Sequence, residues 1–229
     1  MKKYVLCAGA VCCVLLFAGT AAAISPVETK HFRVVDNGEG ITPADLKAAG
    51  DTAESLYKEV TNVLGTEYTS SGKIEIRVYV TPKSGRGLRP AASGSSLYLT
   101  LGKIDEEILR QGIAHIIISK PLSSAPRWFL RGLELYVAYG SMSGQYRGLP
   151  PFDNFTFARL EQSLQPGKGK DASYYSWAVV SYVMDNYGKD RLKTIYKQSG
   201  TFSDKFSKAF GVDLKSLEKK SGEIFAAYR

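Results

Sequence analysis

Residues 105–140, DEEILRQGIAHIIISKPLSSAPRWFLRGLELYVAYG, constrain this chain more than any other stretch. Two long apolar runs flank a short segment that carries Pro121 and Pro126. Proline has no backbone N–H and its ring clashes with the preceding turn, so Pro121 ends the first helix, and Pro126 suits the first turn of the second. The run after His115 is too apolar to face water, so the first helix is expected to be buried, and a packed helix pair forms the centre of the protein.

The pattern before this pair differs from the pattern after it. KHFRVVD and KIEIRVYVT alternate apolar and polar residues and read as strands, with Ile74, Ile76, Val78 and Val80 on one face. Between them, ITPADLKAAGDTAESLYKEVTNVLG has Thr42 as N-cap, Pro43 in the first turn and Gly65 as the stop. Leu46, Ala49, Ala53, Leu56, Val60 and Val63 form its apolar stripe. PKSGRGLRPAASGS reads as a loop made basic by Lys83, Arg86 and Arg89, and SLYLTL as a further strand. After Gly102 the pattern is helical: a short helix near 155–164, then four more, with Thr201 and Asp213 as caps and Gly188, Gly200 and Gly211 at helix ends. Strands first and helices afterwards predict an α+β domain rather than alternating βαβ units. Its small N-terminal sheet would pack on a long helix, and a mainly helical part would follow.

The first 23 residues form a separate object. Two lysines, an apolar run and Ala21, Ala22 and Ala23 match the layout of a secretory signal peptide with cleavage after Ala23. That leaves residues 24–229 as one domain, β-rich over 24–102 and helical over 103–229. The protein is then exported, to a periplasm or the extracellular space, and meets a membrane only if this segment stays uncleaved as an anchor. Cys7, Cys12 and Cys13 all lie in the segment, so the mature chain folds without disulfides. Removing Lys2 and Lys3 leaves 28 basic against 22 acidic residues, a charge of +6, which favours anionic partners. No arginine-rich arm or aromatic RNA-binding signature is present, so nucleic acid is not an expected partner.

The helix pair has the frame of a zinc site without its donors. ILRQGIAHIII, PRWFLRGLELYVA, YYSWAVVSYVMDNYGKDRLKTIYK and AFGVDLKSLEKKSGEIF together resemble the peptidase MA-like, gluzincin-type metallopeptidases. The resemblance covers most of the mature chain. It rests on helix order, the Pro126–Trp128 pairing, the Gly132–Tyr136 spacing and the Tyr187–Gly188 turn. It implies a zincin-like helical subdomain in which an H-E-x-x-H helix precedes P-x-W-[LF]-x-E-G-x-A-x-Y, whose E-G glutamate is the third zinc ligand. Position by position, Gln111 stands at the first histidine, Gly112 at the general-base glutamate, His115 at the second histidine and Arg131 at the third ligand.

An amide is a poor zinc ligand, glycine supplies none, and arginine stays cationic and repels a divalent ion. His31, the only other histidine, lies on the first strand. The expectation is therefore a non-catalytic protein with no metal and no cofactor. Glu134, nineteen residues after His115, aligns with the family's alanine and is expected to pair with Arg131 at i,i+3.

The expected function is binding of a peptide, protein or anionic envelope ligand through a vestigial cleft marked by Gln111, Gly112, His115 and Arg131. SLYLTL would be the edge strand along which a peptide lies. The alternatives are an assembly factor acting through the helical tail and a hydrolase with other residues, although no G-x-S-x-G elbow supports the latter. Two architectural expectations complete the reading. Gly112 admits a close neighbour, and the aromatics Trp128, Phe129, Tyr174, Tyr175, Trp177 and Tyr182 are expected in the core rather than in a sugar platform.

Overall fold

A computed structural model describes residues 24–38, 40–80, 92–100, 105–142, 149, 152–165 and 170–227. Residues 1–23, with the three cysteines and the expected signal peptide, and Lys83, Arg86 and Arg89 lie outside the described residues.

The protein is α+β, with a five-stranded sheet in the order β1-β2-β3-β5-β4. Strand β2 (Phe32–Asp36) buries Phe32 and Val34, and β3 (Ile74–Tyr79) buries Ile74, Ile76 and Val78. The period-2 alternation thus turns one face of each strand onto the helices. Val80 falls outside β3 and is exposed.

Helix α1 (Pro43–Leu64) connects β2 to β3, and the two strands are parallel. One βαβ unit is therefore built into the domain. Strand β5 (Ser96–Thr100) extends the sheet in parallel beyond β3. Two short strands, β1 (Val27–Glu28) and β4 (Ala92–Ser93), close its sides antiparallel to β2 and β5. The two-residue β4 thus covers only the first part of the SLYLTL strand. Over Ser96 and Leu97 that strand has β4 on its outer side, because the Gly94–Ser95 turn folds the end of the predicted loop back as a hairpin.

The caps of α1 form as its sequence requires. Thr42 and Asp45 make a capping box, and Gly65 takes the left-handed conformation that ends the helix. Leu64, rather than Val63, completes the buried stripe.

The helical part follows. Helices α2 (Glu106–Ser119) and α3 (Arg127–Tyr139) are the central pair. After α4 (Phe157–Ser163) comes α5 (Lys170–Tyr187), then a short 3-10 turn running into α6 (Leu192–Ile195). Helices α7 (Phe202–Phe210) and α8 (Leu214–Ala227) end the described chain. Pro126 leaves the N-terminus of α3 without a side-chain cap, and Glu161 of α4 takes that role by accepting the Trp128 N–H at 3.2 Å.

One hydrophobic cluster runs from Phe32 on the sheet to Leu217 on α8. Phe129 meets Phe202 and Phe206 edge-on or tilted, and Trp128 stacks on Phe157 at 4.2 Å. Among the described residues, no helix is long and apolar enough to cross a membrane.

Candidate functional site

Asp105 caps α2 by accepting the Ile108 N–H, and this fixes the phase of the helix. Ile113, Ala114, Ile116, Ile117 and Ile118 turn into the core, leaving Gln111 and His115 together on a half-buried face one turn apart. Gly112 faces the sheet. A Cβ there would lie 2.7 Å from Leu97 Cδ2, so the missing side chain lets α2 settle on β5.

Helix α3 packs closely on α5. At Gly132 a Cβ would stand 2.2 Å from the Ser176 carbonyl oxygen and 2.6 Å from Val180 Cγ2, so only glycine lets the two backbones approach this far. This contact orients α3 so that Arg131, Leu135 and Tyr139 face one side, while Glu134 turns inward.

Glu134 is the hub of a three-residue cluster bridging α2 and α3. Its Oε1 lies 2.7 Å from His115 Nδ1, and its Oε2 accepts from the Arg131 guanidinium at 3.1 Å. Only 9% of its side chain is exposed, against 41% for His115. A carboxylate only accepts hydrogen bonds, so Nδ1 carries the shared proton and Nε2 is the nitrogen that Glu134 leaves unengaged. The hydrogen bond to Glu134 raises the His115 pKa above its ordinary value, against burial and the nearby Arg131 charge, which act to lower it. The Arg131–Glu134 pair forms as its i,i+3 spacing suggests, and Arg131 Nε also donates to Ser173 Oγ on α5 at 3.3 Å.

A cavity of about 450 Å³ opens beside this cluster, between α2, α3 and α5. Gln111 reaches it from α2. Arg131, Leu135 and Tyr139 line it from α3, and Ser173, Tyr174 and Trp177 from α5. Of the four residues marked by the sequence, the cavity takes in Gln111 and Arg131. His115 is connected to it through Glu134, and Gly112 belongs to the packing against the sheet.

Tyr174 is 45% exposed, and Trp177, half-buried, donates its indole N–H to the Gly140 carbonyl at 2.8 Å. Both belong to the groove rather than the core, unlike Trp128, Phe129 and Tyr175, which are buried as expected. Helical phase does not reveal this: Ala178 and Ser181, one and two turns beyond Tyr174 on the same face, are buried, and the two aromatics are set apart by the cavity at their end of α5.

The zinc implied by the family resemblance does not fit these residues. Both oxygens of Glu134 are committed, a guanidinium stands beside them, and Gln111 and Gly112 supply no anionic donor. His31 belongs to another contact: Glu54 holds both its Nδ1 and its backbone N–H, and its ring stacks on Tyr57 at 4.0 Å.

No protein-family model matches the chain, and no curated protein matches it.

Proposed function

We propose that this protein is an exported, non-catalytic relative of the peptidase MA-like metallopeptidases that binds an anionic ligand in the groove between α2, α3 and α5. The observation that carries the reading is the state of Arg131. Glu134 and Ser173 engage one part of its guanidinium, and its NH2 group makes no hydrogen bond among the described residues while the side chain lines the groove. A half-satisfied guanidinium beside a cavity is a ready partner for a carboxylate or another anion.

The donor chemistry supports binding over metal-assisted hydrolysis. A single imidazole tied to a carboxylate that is itself tied to an arginine does not make the three-ligand set of a catalytic zinc. The net charge of +6 left after signal cleavage adds a long-range attraction for anionic envelope components.

Titration of the mature chain with a panel of anions, from small carboxylates and sugar acids to an anionic peptide, followed by calorimetry, tests the reading. Saturable binding that is lost in Arg131→Ala is the expected result. Binding unchanged in that variant removes the proposed role of Arg131. Stoichiometric zinc in the purified protein, together with peptide cleavage that depends on His115, overturns the reading as a whole.

A further inference from the structure

We infer that the groove recognises an acidic sugar, with a pyranose ring lying against its aromatic wall and the sugar's carboxylate on Arg131. The inference rests on the proposed binding role of the same groove and names the ligand class.

The walls decide against a peptide. Among the described residues they come from three helices, whose backbone N–H and C=O groups, apart from the carbonyls at the C-terminal end of α3 by Tyr139, are consumed by their own i→i−4 bonds. A peptide main chain would lose its hydration there and find no edge to pair with. Recognition therefore comes mainly from side chains.

Those present are of two kinds. Tyr139 and Tyr174 are 50% and 45% exposed, and Trp177 is pinned by its bond to Gly140, with its ring 5.6 Å from that of Tyr139 and tilted by 48°. Together they make an angled aromatic surface held in place before any ligand arrives. Beside it stand two planar polar groups, the Gln111 carboxamide and the outer edge of Arg131, neither hydrogen-bonded in that direction among the described residues. A pyranose has the matching chemistry: an apolar C–H face for the rings and hydroxyls around its rim that an amide and a guanidinium can reach. The guanidinium selects a ring that also bears a carboxylate. A cavity of about 450 Å³ lies in the range used for small ligands.

The test follows the indole N–H resonance of Trp177 in the mature protein, assigned with Trp177→Phe; buried Trp128 serves as the unmoved control. Methyl glucuronide, methyl glucoside, acetate and the anionic peptide are titrated in turn. The expected result is a saturable shift with the glucuronide that is about tenfold weaker in affinity for the glucoside, and weaker again in Tyr174→Ala and in Arg131→Gln. If the peptide saturates the shift and the glucuronide does not, the sugar assignment fails and the anion-binding groove stands. Equal affinity for glucoside and glucuronide also overturns the assignment, since Arg131 then selects nothing. If no ligand moves Trp177, both readings fall together.

Discussion

Replacing Gly132 by alanine tests the close approach of α3 to α5, on which the groove depends. The new methyl would lie 2.2 Å from the Ser176 carbonyl oxygen, whereas real Cβ contacts essentially never fall below 3.0 Å. The deficit is 0.8 Å, and the obstacle is backbone, which cannot rotate away. Overpacking of this kind costs about 1–3 kcal/mol, and a rigid obstacle places it at the upper end. Alanine recovers about 1 kcal/mol of helix propensity. The net loss is about 2 kcal/mol, which for a chain of this size lowers the Tm by roughly 4–8 °C.

Gly112→Ala is the matched control. There the deficit is only 0.3 Å, from 2.7 Å to the same 3.0 Å limit, and the neighbour is the tip of the Leu97 side chain. Rotation of Leu97 absorbs the overlap, and the propensity gain offsets the remainder to within about 0.5 kcal/mol. Thermal and urea unfolding followed by far-UV circular dichroism measure both variants. If Gly132→Ala is as stable as the parent, or Gly112→Ala is the worse of the two, the account of how α3 is seated is wrong.

His115 gives a second prediction. Its pKa is raised mainly by Glu134, so the His115 ring resonances of Glu134→Gln will titrate at a lower pH than those of the parent, as NMR can measure directly. A raised native pKa also means that the charged pair stabilises fully below the unfolded value of about 6.5 and ceases to do so as pH rises through the native value. His115→Ala should therefore lose more stability in mildly acid than in alkaline solution, and equal losses at both would refute the coupling. Phe206→Ala, at the junction of α7 with Phe129, should cost about 3–5 kcal/mol and show a single unfolding transition. A separate early transition of the tail would contradict the shared core.

The local elements were legible where the chemistry is local. Thr42, Pro43 and Gly65 delimit α1 from within its own turns, and the alternation of Ile74, Ile76 and Val78 marks β3 without reference to anything distant. The relative direction of the strands was not legible, because alternation reports which face is buried and says nothing of parallel or antiparallel pairing. Hence the βαβ unit through α1 and the short hairpin partner of Ser96 and Leu97 came only with the coordinates. In the site, the Arg131–Glu134 pair follows from helix spacing. The His115–Glu134 bond crosses from one helix to another, and periodicity along a single helix cannot reveal it. Tyr174 and Trp177 share the stripes of buried Ala178 and Ser181, so the pattern along α5 points to the core, and only the meeting of α2, α3 and α5 around a cavity takes them out of it.

The bare backbone at Gly132 has one more consequence. Arg131 and Tyr139 stand on one jaw of the groove, Ser173, Tyr174 and Trp177 on the other, and the two jaws are riveted main chain to main chain between them. Such a vice has no hinge at its waist, so a guest of the kind proposed would meet an opening whose width is already set and would cost the host little freedom on arrival. Selectivity would then come from what fits the gap, and a bulkier or slimmer guest would be turned away instead of being accommodated.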